Sequence, residues 1–274
     1  NGSPSDSKSL HYQQANAGSR TSRYRRSNEG LNAYQSAIQS IGQVLQDYDT
    51  DNLYPVYGFG CLYNNMVEHC LPLTFNHEAP EVSGIDGIMD VYSSAIKQVQ
   101  LSGPTMFAPV IRLAADYARN ACTQQSQQYF SLLIITDGII NDMSLTIDEI
   151  VAATELPLSI IIVGVGEADF SDMDRLDADD VPLIDTHGNV MKRDIVQFVP
   201  FSKFAGADAT ELAAETLEEI PRQLVSYMAL KGITPNKPTQ LNAFKMGVER
   251  SQLEIETGTG ASASDAKFAV PINA

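Results

Sequence analysis

Two stretches, "YFSLLIIT" from Tyr129 and "LSIIIVGV" from Leu158, carry apolar or small side chains at odd and even positions alike. A strand with one wet face alternates apolar and polar residues; a strand covered on both faces need not. Residues 131–136 and 158–163 therefore read as strands of a parallel sheet sandwiched between helices. Each run is far shorter than the roughly 20 apolar residues of a membrane-spanning helix. The expected fold is α/β: a doubly wound, mostly parallel sheet with helices on both faces.

The rest of the chain supplies matching elements. Leu31, Tyr34, Ile38, Ile41 and Leu45 recur at helical spacing and predict a helix over about 31–47. Ile85, Ile88, Met89, Tyr92, Ile96 and Val99 mark a second helix, Val110, Leu113, Ala114 and Tyr117 a third, and a fourth is expected near 144–155. "LYPVYGFG" and "DIVQFVPF" read as strands, and "CLPLTF" as a shorter edge strand because Pro72 lacks an N–H. A long helix from about Ala209 through Tyr227 is expected to kink at Pro221. These elements define a folded domain over 30–232, preceded by a polar loop segment, 1–29, and followed by a low-complexity segment, 233–274, expected to be disordered. The opening "NGSPSDSKS" has neither an initiator Met nor a signal-peptide pattern, so a piece of a longer chain is expected.

With 18 Lys and Arg against 34 Asp and Glu the net charge is −16, which disfavours a nucleic-acid backbone as partner and favours cations. Cys61, Cys70 and Cys122 are odd in number and lack C-x-x-C spacing, so they read as reduced cytosolic thiols. The histidines His11, His69, His77 and His187 are scattered and read as turn or surface residues. No nucleophile elbow and no phosphate-binding G-x-x-x-x-G-K-[ST] is present, and "GVGEAD" lacks the third glycine of a dinucleotide site. No enzymatic activity is expected.

In open α/β sheets ligands bind beyond the carboxyl ends of the strands. Asp137, in "LLIITDGIINDM", stands there, where a carboxylate is partly desolvated unless a cation or strong donors compensate it. A hard divalent ion does so with oxygen ligands, and Thr105 in "SGPTMFAP" is a candidate hydroxyl donor on a neighbouring loop. Asp142 reads instead as a cap for the helix that follows it. The acids of "EADFSDMDRLDADD" do not fit a calcium-loop spacing and read as a solvated helix. The basic cluster Arg20, Arg23, Arg25 and Arg26 reads as a solvated loop, with anionic lipid or a phosphoprotein as the functional alternative.

"SGPT", "LLIITDGIINDM", "SIIIVGVGEADFSDMDRLDADD" and "RDIVQFVPF" together resemble the von Willebrand factor A-type domain of the copines, from "NGSPSDSKSLHY" through "YMALKGI". The resemblance implies a metal-ion-dependent adhesion site built from an Asp-x-Ser/Thr-x-Ser motif at the end of a first strand, a Thr on a later loop and an Asp after the central strand. Thr105 and Asp137 match the second and third elements. The first is not in this sequence, so its strand, between those at about 54–59 and 130–136, is expected to be missing. Both neighbours would then carry unpaired edges, and the chain alone would be poorly stable and bind metal weakly.

The resemblance further implies a non-enzymatic protein-interaction domain in which Mg²⁺ or Ca²⁺ completes its coordination with a partner's acidic side chain. Calcium- and phospholipid-binding modules upstream would recruit an otherwise cytoplasmic protein to the plasma membrane. Plant relatives that join such a domain to a zinc-binding RING finger imply the alternative of a ubiquitin ligase. That reading needs clustered Cys and His, and 233–274 contains neither.

Overall fold

A computed structural model describes residues 3–13, 30–179, 181–204, 209–236 and 266–273. In chain order the elements are α1 (Ala33–Gln46), β1 (Leu53–Phe59), β2 (Cys61–Tyr63), β3 (Met66–Glu68), β4 (Leu71–Pro72), β5 (Glu81–Ser83), α2 (Gly84–Ala95), β6 (Gln100–Leu101), α3 (Ala108–Ala118), β7 (Tyr129–Thr136), α4 (Met143–Ala153), β8 (Leu158–Gly164), α5 (Ser171–Asp177), β9 (Val196–Pro200), α6 (Ala209–Leu217), α7 (Ile220–Leu230) and β10 (Ala266–Asn273). The main sheet runs β4-β1-β10-β7-β8-β9, with β5 also pairing β1. The five strands from β1 to β9 along that path are parallel, while β4 and β5 join β1 antiparallel.

The two-faced strands divide their side chains between two cores. Leu132 and Ile134 of β7, with Ile160 and Ile162 of β8, face α3, α4 and α5. Leu133, Ile135, Ile161 and Val163 face α1, α2 and Leu212 of α6. All eight residues of β7 are buried, as uninterrupted apolar patterning requires. α1 begins with a capping box: the Asn32 side chain accepts from the Gln35 N–H, and the Gln35 side chain accepts from the Asn32 N–H.

Three expectations change. The segment 233–274 was expected to lack structure, yet 266–273 form β10, parallel to both β1 and β7 in the slot where a strand was expected to be missing. The edges of β1 and β7 are thus paired. Residues 237–265 and 274, and 1–2 and 14–29 with the basic cluster, lie outside the described residues. The helix expected to kink at Pro221 is two helices, α6 and α7, with Pro221 in the first turn of α7, where a residue without an N–H breaks no helical bond. A small sheet, β3-β2-β6, was not expected. Its hairpin turns on Asn64 and Asn65 at φ 49° and 63°, the left-handed pair a two-residue turn needs.

Candidate functional site

The loop after β6 carries Thr105 to the carboxyl edge of the sheet and is tied there at two points. The Ser102 N–H donates to the Gly60 carbonyl at the end of β1 (2.9 Å). The Thr105 N–H donates to Asn141 Oδ1 (2.7 Å), and the Asn141 N–H donates back to the Thr105 carbonyl (2.9 Å). Asn141 lies four residues beyond Asp137, so this reciprocal pair joins the loops bearing the two candidate ligands. Thr105 and Asp137 are both partly buried. Gly138 follows at φ +106°, and a side chain there would collide with the Phe170 ring, its Cβ falling 2.9 Å from Cε1. The tight turn that leaves Asp137 at the strand end therefore requires glycine.

Asp142 fixes the same junction, though by a different route from the one expected. Its side chain makes no cap bond to α4. Instead Oδ1 accepts from the Phe107 N–H (2.9 Å) and Oδ2 from the Ala108 N–H (3.0 Å), closing the amino end of α3 just beyond Thr105. The Thr146 hydroxyl also donates to Oδ1 (3.1 Å). A buried carboxylate so placed satisfies orphan helix donors and meets the positive end of the helix dipole.

On the other face, Leu10 lies beside Gly166 just beyond β8, and His11 packs against α1 and α2. Leu10 packs where a Cβ on Gly166 would sit, 3.1 Å from its Cδ1. His11, expected at the surface, is fully buried: its ring stacks on Tyr34 at 4.1 Å and Nδ1 meets the Tyr92 hydroxyl at 2.8 Å. Burial pulls its pKa down to about 4, so the imidazole is neutral. The Tyr34 hydroxyl is buried without a hydrogen-bond partner among the described residues. Burial raises its pKa well above the usual tyrosine value, and the charge of Asp137 adds to the shift.

A second acidic group lies toward the opposite edge. Single oxygens of Asp179, Asp194 and Glu219 fall within 4.8 Å of one another, a spacing that suits one hard cation. Glu219 Oε2 accepts from Gln223 Nε2 (3.1 Å), and Arg222 pairs with Oε1. Asp194 precedes β9, and its Oδ2 is buried without a partner among the described residues. Asp177 accepts from the Phe198 N–H (2.8 Å). Burial pushes Asp177 up to about 7, and burial together with Asp194 pushes Glu219 up to about 7. The acids from Glu167 to Asp179 are thus not uniformly solvated: Asp172 is exposed, whereas Asp177 is anchored to the sheet.

Residues 24–236 match the copine family. The chain belongs to that family. Copine-C of Dictyostelium discoideum is similar to it, 46% identical over 210 residues, which cover 77% of this chain and 39% of that relative's length. Among the described residues of this copine domain no helix is long and apolar enough to cross a membrane.

Sequence reasoning missed His11, Asn141 and the Asp177–Glu219 group. His11 stands in a polar stretch without periodicity, and the partners of Asn141 and Asp194 are distant in sequence. Signals existed for Asn141, as the polar residue between Asp137 and the helix start, and for Asp177 and Asp179, in the acidic run that was read as a solvated helix.

Proposed function

We propose that this copine domain is a non-enzymatic, metal-dependent protein-interaction module with a von Willebrand factor A-like fold. Thr105 and Asp137 hold Mg²⁺ or Ca²⁺ at the carboxyl edge, and the ion takes an acidic side chain of a partner as a further ligand. The observation that carries this reading is the reciprocal Thr105–Asn141 pairing, which joins the hydroxyl-bearing loop to the loop after Asp137. A hydroxyl and a carboxylate are hard oxygen donors of the kind such cations prefer. Two side chains do not fill a shell of six or more, so water and groups beyond this pair complete it. In the whole protein this domain would pair calcium-dependent phospholipid binding by upstream modules with partner capture, moving from cytoplasm to plasma membrane; the chain spans 39% of the length of copine-C.

Calorimetric titration with Mg²⁺ and Mn²⁺ tests the assignment. Asp137→Ala is expected to lower affinity by at least roughly 10- to 100-fold, the range seen when groups supporting a metal site are removed. Asp172→Ala, at an exposed position of α5, is expected to leave it unchanged. Equal affinity for wild type and Asp137→Ala would refute the site.

A further inference from the structure

A cavity of about 580 Å³ opens between α4, α5 and the loop that follows α5. Its apolar wall is Ile147, Val181, Pro182, Leu183 and Ile184. Among the described residues its charged rim is Asp174, Asp177 and Asp179 with one cation, Arg175. Val181 is 70% exposed and Ile184 58%. Large apolar groups clustered around a concave site and rimmed by charge mark an interaction surface more often than a solvated loop.

The part of the loop from Leu183 to Met191 is cross-tied while it presents Leu183 and Ile184. Ile184 and Val190 form an antiparallel bridge, and the Met191 N–H donates to the Leu183 carbonyl (2.9 Å). Asp185 accepts from the N–H groups of His187 (2.9 Å) and Asn189 (2.7 Å). The Thr186 N–H and hydroxyl donate to the two oxygens of Asp148 on α4 (2.7 and 2.8 Å). Asp148 and Asp185 are therefore spent on the loop itself, leaving Asp174 and Asp179 as exposed rim carboxylates. A preformed surface loses little entropy when it is covered.

We propose that this cavity docks a basic, amphipathic peptide segment of a protein partner, with apolar side chains entering between Ile147 and Ile184 and flanking Lys or Arg meeting Asp174 and Asp179. Charge complementarity decides the occupant: among the described lining residues the exposed carboxylates of Asp174 and Asp179 outnumber the one guanidinium, Arg175, while Asp177 is turned to the Phe198 N–H, so the rim disfavours an acidic ligand and favours a basic one. The lining of this cavity includes neither Thr105 nor any residue of the loop 137–142, so the surface is distinct from the candidate metal site.

The test is amide-shift NMR on the full 274-residue chain. The probes are Lys-Lys-Leu-Leu-Arg-Lys, its Ala-Ala counterpart and the acidic peptide Glu-Glu-Leu-Leu-Glu-Glu. Saturable shifts at Val181–Ile184 and along α5 are expected with the leucyl basic peptide. Binding of the alanyl peptide should be about tenfold weaker or more, the scale set by lost apolar burial. Val181→Ser with Ile184→Ser should weaken the leucyl peptide by about tenfold, and Asp174→Asn with Asp179→Asn several-fold, with a reduced salt dependence. Asp137→Ala should change nothing here, which separates failure of this surface from failure of the metal site. Equal binding of the leucyl and alanyl peptides, preference for the acidic peptide, or shifts at Val181–Ile184 on dilution of the protein alone would each overturn the proposal, the last by assigning the face to a second copy.

Discussion

Replacing Asp142 by Ala tests the junction beneath the candidate site. The substitution removes the acceptors of two backbone N–H groups, Phe107 and Ala108, and of the Thr146 hydroxyl, at a residue only 7% exposed. Losing a helix cap costs about 1 kcal/mol, and each buried donor left unpaired costs about 1–3 kcal/mol. Water can reach part of the vacated space, so the expected loss is about 3–4 kcal/mol. With a urea m-value of about 2–3 kcal/mol/M the midpoint should fall by about 1–2 M at unchanged slope. Asp142→Asn keeps one acceptor oxygen and should lose about half as much. Thr105 stands two residues before Phe107, so Mg²⁺ affinity should fall with stability in both variants. A midpoint shift below about 0.5 M for Asp142→Ala, or Asn no better than Ala, would refute the capping role.

Other elements make separate claims. Deleting 266–273 removes the strand between β1 and β7 and should abolish the cooperative thermal transition; a melt unchanged within about 2 °C would show that β10 does not hold the sheet together. Arg193 donates to the carbonyls of Thr154 (2.9 Å), Leu158 (2.9 Å) and Gln223 (3.3 Å), so Arg193→Met should cost about 3 kcal/mol in chemical denaturation. Asp177 and Glu219 hold protons in the folded state up to about 7, against ordinary values of 3.8 and 4.5, so their contribution to stability is fully present below about 4 and is lost as pH rises through 7. Asp177→Asn should therefore flatten the fall in melting temperature between pH 5 and 8; an unchanged slope would argue against a protonated Asp177. His11 acts oppositely: its folded value of about 4 lies below 6.5, so its stability is present above 6.5 and is lost as pH falls through 4.

The central strands and the cap-bearing helices were legible because their signals are local. Unbroken apolar runs in β7 and β8 specify burial on two faces, and the spacing from Tyr34 to Leu45 specifies the buried face of α1. β10 was illegible because a Gly-, Ser- and Thr-rich segment precedes it and Pro271 interrupts it. Its register with β7 skips Val270 and Pro271, where a ladder donor is missing, before resuming at Ile272. Asp142 does stand at the N-cap position of α4, as read, but its carboxylate serves α3, and the N–H groups it binds there lie 35 and 34 residues earlier. Burial of His11 depends on Tyr34 and Tyr92, which only the packing of α1 against α2 brings together. At the site, chain order offered Thr105 and Asp137 as separate residues; the Asn141 pairing between their loops is a tertiary fact.

The decisive measurement is paramagnetic broadening of backbone amide signals by Mn²⁺ added in substoichiometric amounts. Two oxygen-donor clusters compete for a hard cation, one after β7 and one before β9, separated by about 20 Å along strands rising roughly 3.3 Å per residue. That distance is enough to resolve them. Broadening centred on Thr105, Asp137 and Gly138, reversed by Mg²⁺ and lost in Asp137→Ala, is the predicted result. Broadening centred on Asp179, Asp194 and Glu219 that persists in Asp137→Ala would contradict the account and move the metal to the opposite edge of the sheet.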